Sequence, residues 1–256
     1  MKFALEVEEL KVGYDKTIVL WDICCNIPQG KTVGIIGPNG AGKSTFLKAL
    51  LGMVKSFSGK VRFFGHSYKK MKKKIAYVPQ RSSVDWDFPI TAFEVVLMGR
   101  SYKQGLFPFP SRADKQAATA ALEMVGMSAF SDRQISELSG GQQQRLFIAR
   151  ALLQEADLYL MDEPFVGVDM ATEKEIIALF DKLKMQGKTL LIVHHDLSTV
   201  NAYFDWVIML NTCLIACGPV EEVFSTETLL RAYGKGMSLL DEAAILSHRK
   251  EQGLST

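Results

Sequence analysis

The run Gly37-Pro38-Asn39-Gly40-Ala41-Gly42-Lys43-Ser44-Thr45 constrains this chain more than any other segment. It fits G-x-x-x-x-G-K-[ST] in full and directly follows the apolar run Thr32–Ile36, the strand-to-loop context that gives this motif its meaning. Glycines without Cβ let backbone N–H groups turn inward around phosphate oxygens, where side-chain bulk would block the cradle. Lys43 supplies a compact cation for the β- and γ-phosphates and Ser44 a hydroxyl for Mg²⁺. A helix over Thr45–Leu51 would aim its positive dipole end at the same charge. The residue types therefore call for ATP, or another nucleoside triphosphate, together with Mg²⁺.

A second apolar segment, Asp157-Leu-Tyr-Leu-Met-Asp162-Glu163-Pro164, ends in adjacent carboxylates. A buried strand carries two charges at its end only where a cation or water meets them. Asp162 is expected on the metal side. Glu163 is expected as general base or water-positioning group, because neighbouring strand residues point to opposite faces. A third segment, Leu138-Ser139-Gly140-Gly141-Gln142, precedes a helical pattern over Gln143–Leu153. Ser139 suits an N-cap, and the two glycines leave N–H groups open to an anion. Two anion sites in one chain with one triphosphate fit head-to-tail pairing, in which residues 138–142 of one copy cover the γ-phosphate held by a second copy.

The order of these motifs is similar to that of the nucleotide-binding subunits of ATP-binding cassette (ABC) transporters, over about Leu5 to Tyr233. The resemblance implies an α/β fold: a P-loop NTPase core like that of RecA, an N-terminal antiparallel β subdomain and an inserted α-helical subdomain. It implies that Tyr14 stacks on adenine, that Gln80 is the lid-loop glutamine sensing Mg²⁺ and the attacking water, and that Asp169 links two composite sites. His195, in Leu191-Ile-Val-His-His-Asp196, would be the switch histidine at the γ-phosphate. His194 stands where threonine is more usual in the family, and Phe165-Val-Gly-Val-Asp169 replaces serine-x-leucine-aspartate. His195 is chosen over His194 because it directly precedes Asp196. A narrower likeness, carried by residues 84–90, 95–100, 166–169 and 193–196, is to ATPases of bacterial manganese, zinc and iron uptake. It implies an importer subunit peripheral to the cytoplasmic face of the membrane, partnered by an integral permease and served indirectly by an extracytoplasmic metal-binding protein. Transport of another small substrate, or action on nucleic acid or ribosomes, is the alternative. No long coiled coil separates Lys43 from Ser139, and one cassette is present, which disfavours the non-transport classes.

At 256 residues and 48% hydrophobic, the chain can bury a large core, and a formal charge of +2 gives no nucleic-acid footprint. Cys24, Cys25, Cys213 and Cys217 lack disulfide or zinc spacing and read as buried thiols in a reducing compartment. No uninterrupted apolar run reaches about 18 residues, and Met1–Glu6 turns acidic too early for a secretory signal. The four histidines, 66, 194, 195 and 248, form no ligand set.

Strands are expected at Val33–Ile36, Val61–Phe64, Ile75–Val78, Leu158–Met161, Leu190–Val193 and Val207–Leu210, and helices at Ala92–Gly99 and Ala113–Val125. The expected organisation is one ATPase domain over 1–233, with its core at about 1–85 and 156–225 and its helical part at about 86–155, and a helical tail over 234–256. The run Lys69–Lys74 reads as a solvated surface. Residues 81–90 hold Trp86 and Phe88. These either anchor a permease helix or pack the helical lobe.

Overall fold

The computed structural model describes residues 2–103 and 109–234. The elements in chain order are β1 (Phe3–Tyr14), β2 (Thr17–Pro28), β3 (Thr32–Ile36), α1 (Lys43–Leu50), β4 (Ser56–Phe63), α2 (Tyr68–Met71), β5 (Ile75–Val78), α3 (Ala92–Leu97), α4 (Arg112–Met124) and α5 (Gly140–Leu152). They continue with β6 (Leu158–Asp162), α6 (Met170–Met185), β7 (Thr189–Val193), α7 (Val200–Tyr203), β8 (Trp206–Asn211), β9 (Cys213–Pro219), α8 (Val220–Val223) and α9 (Thr226–Tyr233). By internal contacts the chain divides into one unit of residues 1–69 and 191–256 and a second of 70–190. The expected helical tail lies, beyond Gly234, outside the described residues.

In the first unit β2, β1 and β4 form an antiparallel sheet in that order. Its strands are long but irregular. The β1–β2 register shifts near Leu5, Leu10 and Val12, and Glu9 and Asp22 take left-handed backbone, so strict alternation is broken by bulges. Strand β4, at the edge, is mostly exposed. β3 and β8 run parallel, and β9 folds back antiparallel on β8. Every residue of β3 is buried, which explains its unbroken apolar sequence.

The second unit holds the parallel pair β5 and β6, joined in register from Ile75 and Leu158 to Val78 and Met161, and the helices α3 to α6. Side-chain caps open these helices. Thr91, Ser111 and Ser139 each close a reciprocal capping box, with Glu94, Asp114 and Gln142, each such cap contributing about 1 kcal/mol. Strand β7 begins in this unit, where Thr189 N–H donates to the Asp157 carbonyl at 3.0 Å, and ends in the first, where His194 N–H donates to the Ile35 carbonyl at 3.0 Å.

The expectation of buried thiols needs correction. Only Cys25 is buried; Cys24 and Cys213 are exposed and Cys217 is intermediate. Cys24 and Cys25 are neighbours on one strand, so burying one turns the other outward. The lysine run is a solvated surface, as expected. It forms α2 and a 3₁₀ turn over Lys72–Lys74, and Lys74 pairs with Asp157 at 3.0 Å. Among the described residues no helix is long and apolar enough to cross a membrane.

Candidate functional site

In the first unit, β3 delivers the chain to Gly37, which tolerates no side chain. A Cβ on Gly37 would stand 2.0 Å from the Leu210 carbonyl oxygen of β8, at φ +153. Gly42, at φ +91, is the N-cap of α1, and its missing Cβ would meet the Leu20 side chain at 2.6 Å. Between them Ala41 N–H donates to the Pro38 carbonyl at 3.1 Å and Thr212 N–H to the Ala41 carbonyl at 3.2 Å. The helix begins at Lys43, whose side chain folds back over the loop. Its Nζ donates to the carbonyls of Gly37 at 2.7 Å and Pro38 at 3.0 Å, and the residue is only 7% exposed. A cation held over a glycine turn, at the N-terminus of a helix, fits the phosphates of a nucleotide. Ser44 and Thr45 follow in the first turn of α1, and Asn39 and Gly40 are exposed at the loop's crest.

The C-terminal end of β7 lies beside that of β3, so the two histidines leave the sheet next to the strand that enters the loop. They are treated very differently. His194 is 2% exposed; its Nε2 lies 2.7 Å from Thr199 Oγ1, and its ring meets Phe204 edge-on at 5.2 Å. Burial, reinforced by the neighbouring His195, lowers its pKa to about 4, so it is a neutral packing group at physiological pH. His195 is exposed. Tyr14 ends β1 in a tight hairpin opposite Thr17 and is 49% exposed.

In the second unit Asp162 is fully buried at the end of β6. Burial, with the charge of Asp162 added, pushes the Tyr77 phenol of the neighbouring β5 up to about 12. Glu163 does not continue the strand. It sits at φ +55, a left-handed conformation that costs a glutamate about 1–2 kcal/mol, and this turn, not strand alternation, separates the two acids. Its Oε2 accepts from Gln80 Nε2 at 2.7 Å. Ser139 caps α5 as expected: Gln142 N–H donates to its Oγ at 3.3 Å, and its own N–H donates to Gln142 Oε1 at 2.9 Å. Gly140 and Gly141 occupy the first turn.

Asp169 has a structural task that its sequence reading passes over. It is the N-cap of α6, accepting from the N–H groups of Ala171 and Thr172 at 3.0 Å and from Thr172 Oγ1 at 2.8 Å. These bonds, those from Thr172 foremost, hold its carboxyl below the usual range. Trp86 also has a definite place. Its Nε1 donates to the Arg81 carbonyl at 2.9 Å and its ring meets Phe147 of α5 at 5.2 Å and 68°, so it packs within the second unit, whereas Phe88 is 57% exposed. Sequence reasoning missed Arg81 and Gln143, which are joined at 2.7 Å. The available signal was Gln143, a polar residue on the apolar face of α5.

A glycine cradle with its lysine, two acids at a strand end and a capped glycine turn define a phosphate-loop nucleotide hydrolase. Residues 20–166 match the model of the family described as ABC transporter. The manganese transport system ATP-binding protein MntB of Bacillus subtilis is 52% identical over 97% of this chain and 100% of its own length. The zinc transport system ATP-binding protein TroB of Treponema pallidum is 56% identical over 92% of this chain and 89% of its own. Among solved structures, a metal-chelate type ABC transporter in an inward-facing conformation superposes with a TM-score of 0.79 at 29% identity, covering 91% of this chain and 89% of that one. The chain belongs to the ABC transporter family and is an ATPase of it.

Proposed function

We propose that this chain energises uptake of a divalent transition metal, manganese or zinc in the first instance, with iron a third candidate. It works as a head-to-tail pair of copies peripheral to the cytoplasmic face of the membrane, beneath an integral permease fed by an extracytoplasmic metal-binding protein. The chemical part rests on the 2.7 Å bond from Gln80 Nε2 to Glu163 Oε2; the cargo rests on likeness to the manganese and zinc relatives. Residues 1–233 act as one ATPase domain, and cargo identity is left to the permease and binding protein.

Each residue then has a task. The backbone of Gly37–Gly42 and the Lys43 ammonium bind and orient the triphosphate, with Thr45 beside them in the first turn of α1. Tyr14 offers an exposed ring to adenine. Ser44, Asp162 and Gln80 supply the oxygen donors that suit Mg²⁺, a hard cation, which neutralises charge on the phosphates when bound. The fully buried Asp162 fits that role, since a carboxylate removed from water calls for a cation. Gln80 holds one oxygen of Glu163, leaving the other to accept a proton from water as that water attacks the γ-phosphorus in line with the departing ADP. The products are ADP, inorganic phosphate and a proton. His195 donates to the γ-phosphate. Ser139, Gly140, Gly141 and Gln142 of the second copy close the site, and Asp169 links the two composite sites.

Glu163→Gln separates binding from chemistry. ATP affinity is expected to stay within about threefold of wild type while turnover falls on the order of a hundredfold or more, the usual contribution of a positioned base. Near-normal steady-state hydrolysis by this variant would remove Glu163 from the role.

A further inference from the structure

Arg81 follows Gln80 and opens a 3₁₀ turn over Arg81–Ser83. Its Nε donates to Gln143 Oε1 at 2.7 Å, and Gln143, buried on α5, passes the connection on by donating from Nε2 to the Ile135 carbonyl at 3.1 Å. The guanidinium also lies beside the first turn of α5: a Cβ built on Gly140 would meet its Nη1 at 3.0 Å and Cζ at 3.1 Å, and one on Gly167 would stand 4.0 Å from Nη1. Its main-chain carbonyl receives the Trp86 indole. One residue of the loop that carries Gln80 thus bonds to α5 and abuts the glycine turn after Ser139, with Gly167 of the turn that leads into Asp169 nearby.

We infer that Arg81 is a positioning residue for hydrolysis, tying the Gln80–Glu163 pair to the Ser139–Gln142 segment and to the turn before Asp169 so that all three act as one rigid body. The inference rests on the head-to-tail reading above, because the segment after Ser139 serves the nucleotide of the other copy. A planar guanidinium can donate from Nε to Gln143 while its Nη1 end stays against the glycine turn. Lysine, with a single side-chain nitrogen, cannot do both. A side chain at 140 would displace the guanidinium by a few tenths of an ångström.

The test uses the full-length chain with Arg81→Ala, Arg81→Lys, Gln143→Ala and the Arg81→Ala/Gln143→Ala double variant. The expected result for Arg81→Ala is a fall in kcat on the order of tenfold with KM for ATP within about twofold of wild type, since misplacement and not lost binding is the defect. Arg81→Lys should not restore kcat, and the double variant should be little worse than Arg81→Ala alone. In the Glu163→Gln background, ATP-dependent pairing followed by sedimentation should be lost on adding Arg81→Ala. A kcat within twofold of wild type, a matching rise in KM, or rescue by lysine would overturn the proposal. Arg81→Lys carries the kcat test if the alanine variant does not fold. If Glu163→Gln itself stays monomeric at saturating ATP, the head-to-tail reading fails, and the split between kcat and KM still decides the role of Arg81.

Discussion

Gln80 and Glu163 are 83 positions apart in sequence, yet Nε2 of the first donates to Oε2 of the second at 2.7 Å. The glutamate is turned out of β6 by left-handed backbone, which Pro164 follows, and the glutamine ends the extended stretch after β5. Parallel pairing of β5 with β6 brings the two strand ends together. The carboxylate is therefore held at one oxygen by the protein itself, which is the preorganisation that the base proposed above requires.

Removing that hold without removing the base should give an intermediate defect. Gln80→Ala is expected to lower kcat on the order of tenfold, less than Glu163→Gln, and the two changes should be far from additive. Steady-state kinetics on the two single variants and the double variant read this directly. Full additivity would mean that the hydrogen bond plays no part in turnover.

Trp86 and Phe88 lie two residues apart and should behave oppositely. Trp86→Ala removes the contact with Phe147 and the bond to the Arg81 carbonyl, so it should cost about 1–3 kcal/mol of folding stability and lower basal hydrolysis. Phe88→Ala should shift stability by no more than about 0.5 kcal/mol and leave basal ATPase unchanged, yet weaken transport, the outcome expected of an exposed aromatic that anchors the proposed permease. Denaturant unfolding, ATPase rate and uptake together distinguish the pair.

His194 makes a pH prediction with a definite sign. Its folded pKa of about 4 is below the ordinary histidine value of 6.5, so the unfolded chain binds the extra proton first. The stability it contributes is complete above about pH 6.5 and is lost as pH falls through about 4, a total on the order of 3 kcal/mol. His194→Gln, which can keep a bond to Thr199, should flatten the fall in unfolding free energy over that window. An unchanged slope would assign the acid sensitivity to other groups.

What could be read from sequence divides along physical lines. β3, β6, β7 and β8 fall within two residues of expectation because fully buried strands are continuous apolar runs. The limits of β1 and β2 and the existence of β9 were not legible, since bulges and partial burial break the alternation that marks a strand. Helix α6 was legible and passed over. Its buried Thr172, Ile176, Phe180 and Leu183 follow helical spacing behind the Asp169 cap, but Asp169 invites a chemical reading first. The loop from Gly37 to Thr45 was fully visible because its chemistry is local. The links of Gln80 to Glu163 and Arg81 to Gln143 depend on which strands and helices become neighbours, and no spacing within one segment reports that.

Uptake of labelled manganese, zinc and iron into cells lacking this chain, complemented with wild type or with Glu163→Gln, tests the whole account. Loss of uptake of one of these ions is expected, restored by wild type and not by the variant, while uptake of unrelated solutes is untouched. Unimpaired uptake of all three ions without the chain, or full restoration by Glu163→Gln, would contradict it.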